Sequence, residues 1–81
     1  MIQNMEIWVQ KTIRTIRLEK NYTQEYIATK LNISQSYYGR IENGKADLNI
    51  DTLYKILTIL DTDYIDFFMQ VKSNEKNRSK Y

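Results

Sequence analysis

Histidine and cysteine are both absent from this chain. Their absence removes the commonest general base, the thiol nucleophile, the usual zinc ligands and any disulfide. It speaks against an enzyme and against a bound metal or other cofactor. Asp61 and Asp63 form a carboxylate pair that could hold an ion, but helix capping accounts for both. The remaining chemistry lies in Gln24, Gln35, Ser36, Arg40 and Lys45. A glutamine amide can meet adenine at two points and a guanidinium can meet guanine at two points. Each such pair is worth roughly 1–3 kcal/mol of discrimination. A lysine, or the backbone N–H groups at a helix start, attracts phosphate.

These groups need elements to hold them. The chain has 81 residues, which bounds it to one small domain, since domains run to roughly 100–200 residues. Proline is absent, and the two glycines, Gly39 and Gly44, fall close together. No segment alternates as strands do, while apolar residues recur at spacings of three and four. The pattern predicts an all-α chain of five helices. Met5, Val9, Ile13 and Ile16 form the stripe of a first helix over roughly Asn4 to Lys20. Thr23 caps the second, with Glu25 near its positive end, Tyr26, Ile27 and Leu31 on its inner face, and Ala28 at a close crossing. Ser34 caps the third, with Tyr38 and Ile41 inward. Asn49 caps the fourth, whose apolar face is Ile50, Leu53, Ile56, Leu57 and Leu60. Asp63 caps a fifth, from Tyr64 to at least Gln70. Asn21, Asn32 and Asp61 stand where a left-handed residue ends a helix, and Asn43-Gly44 does the same after the third. Residues 1–71 make the domain. Residues 72–81 are a polar, basic tail or an extension of the fifth helix.

Only Asn32-Ile33 separates the second helix from the third. That is the spacing of a helix-turn-helix, motif 23–42, in which the second helix of the pair lies in the DNA major groove. The polar residues Gln35, Ser36 and Arg40 fall where base edges would be met, while Tyr38 and Ile41 point the other way. A helical hairpin with a solvated polar face is the plainer account of the same pattern.

The match goes further. Ile13-Arg14-Thr15-Ile16-Arg17 is followed by Tyr22-Thr23-Gln24-Glu25-Tyr26-Ile27-Ala28, Leu31 and Ile33-Ser34-Gln35-Ser36. Then come Arg40-Ile41-Glu42-Asn43-Gly44-Lys45 and Leu53-Tyr54-Lys55-Ile56. This series resembles the XRE-type, phage-repressor-like (lambda repressor-like) DNA-binding family over roughly residues 9–68. The resemblance implies a compact five-helix domain that binds a palindromic or pseudo-palindromic operator in double-stranded DNA as a homodimer. It implies a transcriptional regulator, a phage-type repressor or a restriction–modification controller. By the same resemblance Gln35, Ser36 and Arg40 look like base readers. Thr23, Gln24, Ser34, Asn43, Gly44 and Lys45 look like the phosphate-binding set. Arg17 and Glu42 occupy the family's internal ion pair. Gly39 and Tyr37 are placed with the base-reading set but depart from the pattern. Glycine inside a helix costs roughly 1 kcal/mol against alanine, and either a close approach to DNA or tolerated drift explains it. Tyr37 faces DNA or packs on the second helix. Tyr38, also bulkier than the pattern, belongs in the core.

Charge and the fifth helix bear on partners. Residues 1–46 carry seven Lys/Arg against four Asp/Glu, residues 47–70 carry Lys55 against five Asp, and the tail is basic again. A basic front half suits a nucleic-acid face as well as ordinary solvated charge. The fifth helix carries Tyr64, Ile65, Phe67, Phe68, Met69 and Val71, more than one side of it can bury. Tyr64, one Phe and Val71 can face inward. Ile65, Met69 and the other Phe, taken as Phe68, are the candidate dimer interface. Alternatively Ile65 and Met69 cover the first helix's start with Met1, Ile2 and Trp8. No apolar run suits a membrane span, and no signal pattern opens the chain, so the cytoplasm is expected. The alternative from another class is an antitoxin or interaction module needing a partner protein encoded nearby.

Overall fold

The computed structural model describes residues 5–78, and every regular element among them is helical. The order is α1 (Met5–Glu19), α2 (Gln24–Leu31), α3 (Gln35–Glu42), α4 (Ile50–Ile59) and α5 (Tyr64–Arg78). Asn4, Met1 and Ile2 lie outside the described residues, as do Ser79 to Tyr81.

The helix ends follow from local chemistry. Thr23, Ser34 and Asn49 hold extended backbone at the three N-caps, and each side chain accepts an N–H from three residues on. Asp63 Oδ2 accepts from Asp66 N–H at 3.4 Å in the same pattern. Four helices close in one way. Asn21, Asn32 and Asp61 take left-handed φ values of 64°, 61° and 53°, and Gly44 takes 77°. The N–H of each reaches back to the carbonyl three residues earlier, and the next N–H reaches five residues back. Ile33 N–H to Ala28 O, at 3.0 Å, is one such bond. This double bond pattern satisfies carbonyls that a helix end would otherwise leave open.

The core forms where the inner stripes meet. Val9, Ile13 and Ile16 from α1 pack with Ile27, Ala28, Tyr38, Leu53, Ile56, Leu57, Leu60, Phe67 and Val71. Burial of this set supplies the main favourable term for so short a chain. α1 packs chiefly against α5, and α2 against α3. Four expected core positions lie elsewhere. Met5, Tyr26, Ile50 and Tyr64 are all exposed. Met5, in the first turn of α1, is at the rim of a cleft that it lines with Leu48, Ile50, Leu53 and Phe68, and it stays 57% exposed. Tyr26 stacks instead on Tyr22, with ring centroids 4.6 Å apart. Ile50 opens α4 and is 77% exposed, since the inner row of that helix begins one turn later at Leu53. Tyr64 opens α5, one turn before its buried residues Phe67 and Val71.

α5 continues through Arg78, past Gln70. Asn74 explains part of this. Its Nδ2 donates to the buried Thr12 Oγ1 at 2.9 Å, tying the last turns of α5 to α1. No described helix is long and apolar enough to cross a membrane. No cluster of three or more carboxylates that could hold a metal occurs among the described residues.

Candidate nucleic-acid interface

The sharp turn at Asn32 brings the starts of α2 and α3 onto one side of the molecule. Thr23 Oγ1 accepts Tyr26 N–H at 3.0 Å, and Ser34 Oγ accepts Tyr37 N–H at 3.0 Å. Each helix start is the positive end of its dipole, suited to an anion. Both capping hydroxyls therefore have one lone pair already in use.

Between these helices lies an open hollow lined by Gln24, Gln35, Ser36, Gly39, Arg40 and Asn43. Five of the six offer side-chain amide, hydroxyl or guanidinium groups. Gln35, Ser36, Arg40 and Asn43 are exposed, so their polar groups are open to a ligand. Lys45 is exposed just beyond, in the turn after α3. Its backbone is fixed by an N–H bond to Arg40 O at 2.8 Å. Gly44 beside it needs its positive φ, and a Cβ there would stand 3.2 Å from Gln10 Oε1. Tyr37 is exposed on α3, outside the hollow's lining. The hollow thus gathers Gln24, Gln35, Ser36, Gly39, Arg40 and Asn43, while Thr23, Ser34, Gly44, Lys45 and Tyr37 lie around it.

Beneath the hollow is a buried charge pair. Arg17 Nε donates to Glu42 Oε2 at 2.7 Å, and Arg17 Nη2 donates to Glu42 Oε1 at 3.0 Å. The two side chains are only 7% and 0% exposed. Arg17 Nη1 also donates to Tyr22 O at 2.8 Å. Tyr38 Oη donates to Glu42 Oε2 at 2.6 Å, and Gln24 Nε2 to Glu42 Oε1 at 3.2 Å. Four donors therefore converge on one carboxylate, which is what a buried charge needs. Burial alone would push the Glu42 carboxyl up. The bonds from Arg17, Tyr38 and Gln24 outweigh it and hold the group below the ordinary carboxylate range. The bond to Glu42 raises Arg17 further, against the opposing pull of burial. Burial first, then the Glu42 bond, raises the Tyr38 phenol.

Three features differ from what the sequence predicts. Tyr38 was assigned to packing alone, although Tyr–Glu at a spacing of four on one helix is itself a signal for its bond to Glu42. Gln24 was read as facing outward, yet half of its amide is committed inward to Glu42. Ile50, Tyr54 and Tyr64 were not read as surface. They line an apolar cleft with Leu53, Leu57 and Phe68, between the starts of α4 and α5. Ile65, Phe68 and Met69 are exposed along α5 as expected, and Phe67 is the phenylalanine turned inward.

The helix-turn-helix family matches this chain over residues 13–67. An uncharacterised HTH-type transcriptional regulator of Bacillus subtilis (strain 168), YqaF, is 37% identical over 76 residues, 94% of this chain and 95% of its own length. The crystal structure of the wild-type restriction–modification controller protein C.Esp1396I superposes with a TM-score of 0.80. It is 32% identical and covers 89% of this chain and 95% of that one. The same controller bound to a 25 base pair operator site superposes at 0.78, again with 32% identity, over 89% of this chain and 95% of that one.

Proposed function

This chain belongs to the helix-turn-helix family of transcriptional regulators, and on that footing we propose that it binds a two-fold operator in double-stranded DNA as a homodimer. α3 lies in the major groove. Gln35, Ser36 and Arg40 read base edges, with Tyr37 beside them. Thr23, Gln24, Ser34, Asn43, Gly44 and Lys45 hold the phosphates on either side. The observation that carries this reading is the hollow in which Gln24, Gln35, Ser36, Arg40 and Asn43 converge between two positive helix starts. Its likeness to a controller solved on its operator supports it. The family is one of DNA-binding regulators and not an enzyme class.

The second copy sits on the apolar surface of α4 and α5. Ile50, Tyr54, Tyr64 and Phe68 line a cleft there, and Ile65 and Met69 extend the apolar area along α5. A patch of that kind is the ordinary mark of an interface. A two-fold pairing would set two recognition helices about 34 Å apart, one turn of DNA. Residues 1–71 carry the binding unit, with 72–78 as a helical extension that braces α1. The setting is the cytoplasm, and the role is that of a repressor or controller.

The deciding experiment is selection of bound duplexes from a random DNA pool by the purified protein. A paired motif with half-sites one helical turn, or a small multiple, apart supports the reading. Failure to enrich any motif would overturn it in favour of a module that acts only with a partner protein encoded nearby.

A further inference from the structure

Gly39 lies in the interior of α3, where a glycine weakens the helix. A Cβ placed on it would stand 3.3 Å from Gln24 Oε1 and 3.8 Å from Gln24 Nε2. The first distance is tighter than an ordinary contact and the second is ordinary, and the side chain that makes them is not idle. The Gln24 amide crosses from α2 over Gly39, and its Nε2 donates to Glu42 Oε1 at 3.2 Å. Glu42 is held in turn by Arg17 and by Tyr38. The Gln24 amide carries two N–H donors and one acceptor oxygen. One donor is spent on Glu42.

We propose that Gly39 is a positioning residue: its bare Cα is the floor on which the Gln24 amide lies, pinned by Glu42 so that its second N–H is presented to a DNA phosphate. The buried Arg17–Glu42 pair is thereby wired to the surface, because the carboxylate that α1 clamps also sets the rotamer of a backbone-contacting side chain. Without the pin Gln24 would sample several rotamers and lose entropy on binding. This inference rests on the DNA-binding reading for its consequence, but not for its geometry. It differs from a close approach of Gly39 itself to DNA, since here the glycine touches Gln24 and Gln24 touches DNA.

The test uses Gly39→Ala, Gly39→Val, Gln24→Ala and the Gly39→Ala/Gln24→Ala double variant. Thermal unfolding first establishes that each is folded. In the free protein, the Gln24 side-chain amide signals in 15N NMR should be shifted from those of a solvated glutamine and slow to exchange. They should move partway towards solvated values in Gly39→Ala and fully in Gly39→Val. On the selected duplex, Gly39→Ala should weaken binding by about three- to tenfold, and by nothing further when Gln24 is already alanine. If the Gly39→Ala loss persists undiminished in the Gln24→Ala background, the glycine serves DNA approach directly and the proposal is overturned. Gln24 amide signals unchanged in Gly39→Val overturn it equally, with or without DNA. If the native protein binds no duplex, the DNA-binding reading fails, and the amide signals alone decide the pin.

Discussion

Arg17 and Glu42 stand 25 residues apart in the chain and 2.7 Å apart in the fold, with the two side chains almost wholly buried. The pair joins α1 to the last turn of α3, and so fixes α3 against the scaffold. A buried pair adds little net stability over an apolar substitute, but removing one partner strands a charge. Its value here is geometric: one carboxylate orients Arg17, Tyr38 and Gln24 together.

Glu42→Ala should therefore destabilise the fold by about 3–5 kcal/mol, since it leaves the Arg17 guanidinium buried and unpaired. Glu25→Ala, at an exposed position in the first turn of α2, should change stability by about 0.5 kcal/mol or less. Urea unfolding of the two variants side by side checks this. Equal midpoints would show that the pair contributes nothing special.

The same carboxylate sets a pH dependence. Its folded-state pKa is depressed, so it binds a proton less readily in the fold than in the unfolded chain. Its stabilisation is then full above the unfolded value of about 4.3 and is lost as the pH falls through the folded value. The melting temperature should hold level from neutrality to about pH 5 and decline below it. In Glu42→Gln that decline should be shallower. An identical acid limb in the two proteins would place the sensitivity in other carboxylates.

Base reading and phosphate binding should separate by their salt dependence. Arg40→Ala should cost about 1–3 kcal/mol on the selected duplex and relax one base position in each half-site. Lys45→Ala should weaken binding to all sequences alike. It should reduce the slope of log affinity against log salt by about one unit. Repeating the duplex selection with each variant, followed by titration at several salt concentrations, distinguishes them. A sequence preference unchanged in Arg40→Ala would remove that residue from base reading.

In the proposed homodimer, Ile50→Asp should separate the two copies without unfolding the domain. Ile50 is 77% exposed, so a carboxylate there is solvated in the monomer and buried only in the pair. Sedimentation should show one copy, and circular dichroism should show native helix content. A dimer that survives both this change and Met69→Asp would move the interface off the α4–α5 face.

The sequence by itself determined where helices start and stop. That information is local. Thr23, Ser34 and Asn49 cap because a short polar side chain reaches an N–H three residues on. Asn21, Asn32, Asp61 and Gly44 end helices because they tolerate the left-handed backbone. The meeting of Arg17 with Glu42 was legible too, but only through family resemblance, since nothing in the spacing of two charges says that they touch. Tertiary structure decided the remainder. Periodicity assigns a residue to a face and cannot say whether another helix lies over it. Met5, Ile50 and Tyr64 therefore read as inward and stand outside. Gly39 was legible only as an anomaly in a helix. Its meaning lies in the space above its Cα, which a side chain from another helix fills, and no local rule contains that distance.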